Sequence, residues 1–140
     1  MMRTGIIDYQ DPLKTFLEIS LNQVDYFRDL PGHVKCEIIF QMKFKNIDKG
    51  KFLYKKEELS SEMYVVQSGS IEVSILMDEK DPVKREFVIE SLHRGSIINH
   101  NSFLMNDDMD TDAKVVTNAS VYFLSIDILK NLRQKYIELD

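Results

Sequence analysis

The chain of 140 residues carries a single cysteine, Cys36, and that scarcity closes several routes at once. No internal disulfide can form, and cysteine-based zinc clusters are excluded. Such usage fits a reducing, cytoplasmic setting. Long hydrophobic runs are missing too. The apolar stretches, such as 121–124, are of strand length, far from the ~20 residues of a membrane-crossing helix, so no direct membrane insertion is expected. The opening MMRTGIIDYQDP has no cationic segment followed by an apolar one, so no secretory signal is expected. Asn118-Ala119-Ser120 matches a glycosylation sequon, read as chance in such a chain. Positive charge is in short supply: 18 Lys and Arg against 23 Asp and Glu give a formal charge of −5. Nucleic-acid partners call for a basic stripe, and none is present. The one basic concentration, between Lys43 and Lys56, is broken by Asp48 and flanked by Glu57 and Glu58. Its lysines read as solvated faces of edge strands, where they oppose aggregation; contact with acidic lipid or a partner is the alternative. There is no internal repeat and no low-complexity linker, so the length makes one domain.

What is present is a change of hydrophobic period along the chain. After Asp11-Pro12, apolar residues at Leu13, Phe16, Leu17, Ile19, Leu21, Val24 and Phe27 approximate a helical stripe. Pro31-Gly32 stops it. Val34, Ile38, Ile39 and Met42 then fall on one face of a second short helix. From Phe44 the period becomes two. Expected strands cover 44–47, 51–55, 63–67, 70–76, 86–92, 113–116 and 121–124, with a further short one after Gly95. Ser68-Gly69 reads as a tight turn needing positive φ, and 78–84 as a charged hairpin loop. Ser125 is placed to cap a final helix through Gln134. The expected fold is mainly β with flanking α: an eight-stranded antiparallel jelly-roll barrel with N-terminal helices and one C-terminal helix. Its parts are an N-terminal helical segment at 1–43, the barrel at 44–124 and the helix at 125–140.

Candidate chemistry concentrates between Gly95 and Leu124. A turn carries Asn99, His100, Asn101 and Ser102, and a loop carries Asp107, Asp108, Asp110 and Asp112. Asp108-Met109-Asp110-Thr111-Asp112 spells the start of a calcium loop, but Ala113 stands at its glycine position and Ala119 at its glutamate position. A solvated acidic loop is the reading, and no metal site is expected. His100 reads either as a ligand contact or as a turn residue bonded to its neighbours. His33 reads as a helix-start residue, His93 as a strand-end residue and Cys36 as a structural thiol. No nucleophile–base or paired-carboxylate spacing appears, so no enzyme and no cofactor are expected.

Several of these stretches resemble the cyclic nucleotide-binding domain family. Tyr26-Phe27-Arg28-Asp29-Leu30-Pro31 is similar to the family's segment before the barrel. Lys49-Gly50, with Met63-Tyr64-Val65-Val66-Gln67-Ser68-Gly69-Ser70-Ile71-Glu72-Val73, resembles its central strands, and Gly95-Ser96-Ile97-Ile98 stands at its pre-cassette glycine. The flavour is similar to the cytosolic domains of eukaryotic cation channels. The resemblance implies a phosphate-binding cassette with a carboxylate for a ribose hydroxyl and an arginine for the phosphate. Here Asn99-His100 replaces the family's Gly-Glu, about Met109 stands at the arginine, and Glu57 stands at a usual glycine. The cassette therefore reads as degenerate, and tight binding of cyclic nucleotide is not expected.

The ligand-facing set implied by the resemblance is Ile97, Ile98, Asn99, His100, Asn101, Ser102, Phe103, Met109, Asp110 and Thr111. The function expected is that of a regulatory or interaction domain, working by helix shifts against the barrel. Its partner is another protein or the rest of a parent chain, with oligomerisation left open. The alternatives are a sensor for a nucleoside or apolar metabolite, and a structural subunit of a larger assembly. In some channel relatives the residues after the final helices occupy the pocket. Lys135 to Asp140 is a candidate filler on that ground; packing of Tyr136 outside the barrel is the plain alternative.

Overall fold

The computed structural model describes residues 12–76 and 86–139. Three helical segments come first: α1 (Pro12–Leu21), α2 (Asp25–Arg28) and α3 (Gly32–Gln41). Strands β1 (Lys43–Ile47), β2 (Phe52–Tyr54), β3 (Glu62–Leu76), β4 (Glu86–Leu92) and β5 (Ile97–Ile98) follow. Helix α4 (His100–Met105), strand β6 (Asp112–Ser125), helix α5 (Ile126–Lys135) and a 3₁₀ turn (Ile137–Leu139) complete the order. The expected hairpin loop at 78–84 lies outside the described residues.

All strand pairs are antiparallel. The sheet runs β1-β6-β3-β4, with β2 also on β6 and β5 also on β3. Among the described residues six strands form, not the eight expected, and no pairing closes the sheet into a barrel. The difference has a local cause. The segments 63–67 and 70–76 are one strand, β3, and 113–116 and 121–124 are one strand, β6. What reads as a turn at Gly69 is an irregularity inside β3. Register against β6 shifts between Val66 and Ser68, between Ser68 and Ser70, and between Ser70 and Ile71.

That irregularity has a visible effect on the core. Tyr64 and Val66 share the inner sheet cluster with Ile71 and Val73. Even-numbered residues before Gly69 and odd-numbered ones after it face the same way, which an unbroken two-residue period forbids. A slip in pairing restores the face. Gly69 has φ +83°, and a Cβ there would meet Ala119 Cα at 2.7 Å and the Asn118 carbonyl closer still. Asn118 itself accepts from the Lys49 backbone N–H at 2.8 Å and so holds the β1–β2 turn.

The other side of the sheet is covered by helices. Met63, Val65 and Leu124 pack with Leu17, Phe27, Val34, Ile38 and Leu129 in a second cluster. The α1 stripe is less regular than the sequence suggests, since Ile19 is exposed while Leu17 and Leu21 are buried. Its break at 22–24 turns the expected two helices into three. Ser125 caps α5 by accepting from the Ile128 N–H at 3.3 Å, as expected. Helix α4 forms where the sequence suggests only a compact turn. Asn99 and Asn106, both with φ near +55°, bound it in left-handed conformations that asparagine tolerates.

The described residues after α5 dock on the helices and do not line the sheet's cavity. Leu139 is fully buried in the helical cluster. Its carbonyl accepts from Tyr26 OH and from Arg133 Nε. Tyr136 sets its ring edge-on to His33 at 5.7 Å, and Lys135 pairs with Glu37 at 3.2 Å. Tail filling of the pocket is thereby corrected for the described residues.

Two substitutions test this backbone. Gly69→Ala is expected to cost more than about 1 kcal/mol in urea denaturation, because strain and contact act together. An unchanged midpoint would mean the strands are not pressed together there. Glu57 has φ +73°, so Glu57→Gly is expected to raise stability by about 0.5 kcal/mol despite glycine's greater unfolded freedom; a fall in melting temperature would contradict it.

Candidate functional site

An open cavity of about 360 Å³ lies beside the β3–β4–β5 part of the sheet. Strand register builds its floor. Val73 of β3 pairs with Glu90 of β4, and Ile97–Ile98 of β5 pair with Val65 and Tyr64. Val73, Leu92, Ile97 and Ile98 form the apolar wall. The start of α4 supplies Asn99, His100, Asn101 and Ser102; the approach to β6 supplies Asp110 and Thr111. Tyr54, at the end of β2, closes that side, with its hydroxyl 3.5 Å from Thr111 Oγ1.

Eight of the ten residues expected from the sequence are thus brought together. Phe103 and Met109 are not. Phe103 is buried with the helical cluster. Met109, the residue set against the family's arginine, is 4% exposed in the inner sheet cluster. Its backbone is held by Glu57 and Glu58, through N–H···O bonds of 2.7 and 2.8 Å. Lining residues that sequence reasoning missed are Tyr54, Val73, Ile89, Glu90 and Leu92. Glu90 lies in a strand with no motif, and only its pairing with Val73 brings it to the site.

Asn99 is the organising residue. Its Nδ2 donates to Ser60 Oγ at 3.1 Å and to the Glu62 carbonyl. A carbonyl only accepts, so this bond fixes which way the amide points. Its backbone carbonyl accepts from the Phe103 N–H at 3.0 Å, opening α4. Asn99 Oδ1 and His100 Nδ1 are buried and have no hydrogen-bond partner in the protein. The turn before β5 is tied to the helices: Gln23 Nε2 donates to the Gly95 carbonyl at 2.7 Å, and the Arg94 guanidinium lies 4.3 Å from the Phe16 ring centroid.

Burial pushes the His100 imidazole below its usual value, with the Glu90 carboxylate acting the other way. Burial raises the Tyr54 phenol; the Thr111 hydrogen bond opposes this, and Asp110, Glu90 and Asp112 add to it. Burial therefore favours the neutral imidazole and phenol in a lining that also holds the acidic side chains of Glu90 and Asp110. Among the described residues no lysine or arginine lines the cavity, and no group of three or more His, Cys, Asp or Glu is set to hold a metal ion. Lysines of the basic stretch have nearby partners instead: Lys45 pairs with Glu62 at 3.3 Å, and Lys55 lies over the Phe52 ring.

Because the folded pKa of His100 lies below the unfolded one, the fold prefers the neutral ring. Stability linked to it is complete above the unfolded value, near 6.5, and is lost as pH falls from there through the folded pKa. NMR titration is expected to place the His100 midpoint below 6.5, and Glu90→Gln is expected to lower it further. A rise on Glu90→Gln would show that the carboxylate does not face the ring.

The family sequence model described as "Cyclic nucleotide-binding domain" matches residues 44–136. A comparison with curated proteins gives no match. Among solved structures, the chain is similar to the regulatory domain of Toxoplasma gondii PKA, determined with cAMP. There the TM-score is 0.74 at 22% identity, covering 92% of this chain and 47% of that one. It is also similar to the N-terminal domain of a transcriptional regulator from Streptomyces coelicolor A3(2), with TM-score 0.72 at 17% identity, covering 86% of this chain and 83% of that one. A cyclic nucleotide-binding-like protein from Brucella abortus gives 0.71 at 16%, covering 89% of this chain and 99% of that one. At these identities the structural likeness shows the fold alone, and the chain spans about half the length of the Toxoplasma protein. The family match, which extends from the second residue of β1 to one residue past the end of α5, makes this chain a member of the cyclic nucleotide-binding domain family.

Proposed function

We propose that the chain is a ligand-responsive regulatory domain whose cavity does not take cyclic AMP or cyclic GMP tightly. The observation that carries the reading is the charge of the lining: Glu90 and Asp110 contribute to it, and no lysine or arginine among the described residues does. A cyclic phosphate would meet repulsion where the family's arginine would offer a bidentate, charge-assisted fork worth roughly 1.5–3 kcal/mol per hydrogen bond. Met109, at that arginine's place, is turned into the core. The reading includes a degenerate cassette with the ligand-facing set expected above, less Phe103 and Met109.

The open cavity favours a small-ligand sensor over a purely structural subunit, whose pocket would be filled by side chains. Its action would be regulatory and not catalytic. Occupancy would be passed through the Gly95–Gln23 and Arg94–Phe16 contacts to the N-terminal helices, and from there to a protein partner or the rest of a parent chain. The parent we infer is cytosolic and of the cation-channel kind, on the likeness of Tyr26–Pro31 and Met63–Val73 to such domains. No described helix is long and apolar enough to cross a membrane.

Titration calorimetry is expected to give dissociation constants for cyclic AMP and cyclic GMP at or above about 1 mM, near −4 kcal/mol. Micromolar affinity would overturn the proposal. His100→Glu with Met109→Arg is expected to make cyclic AMP binding measurable and salt-sensitive, with some loss of stability because residue 109 is buried.

A further inference from the structure

We propose that the ligand class of this cavity is a small organic cation, an amine or amidine attached to an apolar or aromatic body. The inference rests on the preceding reading that the cavity is a ligand site, and adds the sign of charge.

The charge and the aromatic surface of the lining agree. Glu90 on β4 and Asp110 before β6 place negative charge on separate walls, and neither pairs with a lysine or arginine among the described residues. Both line the same cavity as Tyr54. A cation in the space between would be attracted by both, and the Tyr54 ring is an aromatic surface of the kind ammonium groups favour. The His100 ring is pushed by burial toward its neutral form, so it adds no cation to oppose the ligand.

A metal ion fits less well, since the described residues hold no cluster of three or more metal-ligating groups. An organic cation asks less of the carboxylates. Its charge can sit near the rim with Glu90 and Asp110, both exposed. Its apolar body can lie against Val73, Leu92 and Ile98. The volume of about 360 Å³ suits a small metabolite or its fragment.

The test uses one ring system at three charges: tryptamine, tryptophol and indole-3-acetate, titrated into the ¹⁵N-labelled chain with cyclic AMP in parallel. The expected result is shifts of the Asn99, His100 and Thr111 amides, with tryptamine binding at least tenfold more tightly than tryptophol and indole-3-acetate the weakest. In Glu90→Gln with Asp110→Asn, both exposed and so compatible with folding, the tryptamine preference is expected to fall about tenfold while tryptophol is unchanged. Equal binding of the three probes, a preference for indole-3-acetate, a preference that survives the double variant, or no shift at these amides would each overturn the inference. Micromolar cyclic AMP binding would overturn the proposed function itself. Weak cyclic AMP with no tryptamine preference would overturn only the charge assignment.

Discussion

The close pairing of β3 with β6 governs the molecule. These two long strands run beside each other from Glu62 opposite Ser125 to Ser74 opposite Asp112, and every other strand hangs on one of them. Between Val66 and Ile71, five steps on β3 pass six on β6. That offset lets both halves of β3 turn the same kind of side chain inward. It depends on Gly69 lying flat against the Asn118–Ala119 backbone, where no side chain fits. Upstream of the offset β3 carries β5; downstream it carries β4. The cavity opens where those two neighbours meet the start of α4, so its existence follows from a backbone contact that touches no ligand.

On that scaffold the polar groups are arranged around acceptance. Asn99 spends its donors on Ser60 and Glu62, holding the turn in a left-handed conformation and leaving its carbonyl oxygen over. Glu90 and Asp110 stand at the rim, and burial disfavours charge on His100. The same backbone positions could carry donors and a guanidinium. This makes the family's fold a frame and the choice of ligand a property of a few side chains.

Much of the frame was legible beforehand because it rests on local signals. Two-residue alternation marked β1 to β4, Pro31-Gly32 marked the end of the first helical stretch, and Ser125 marked α5. The strand count was not legible: Gly69 signals positive φ, but positive φ serves a turn and a bulge equally, and only the partner strand decides between them. Helix α4 escaped because six residues between two asparagines show no full helical period. In the site, contiguous residues 97–102 and 110–111 could be read together. Tyr54 and Glu90 could not, since they arrive through pairing with distant strands. Phe103 and Met109 look like pocket residues by position along the chain. Helix α4 directs Phe103 to the helical core, and backbone hydrogen bonds from the Glu57 N–H and to the Glu58 carbonyl hold Met109 in the inner one.

The bond from Gln23 to the Gly95 carbonyl joins the link between α1 and α2 to the turn that launches β5. A free-energy coupling between two places acts equally in both directions. Whatever holds β5 in the cavity wall also disfavours fraying at the α1–α2 corner, and whatever grips that corner from outside makes the wall more rigid for the next arrival. The helical layer and the cavity would then report on each other with the same strength, so a partner bound to the helices would raise the cavity's affinity by the same factor as a ligand in the cavity would raise the partner's.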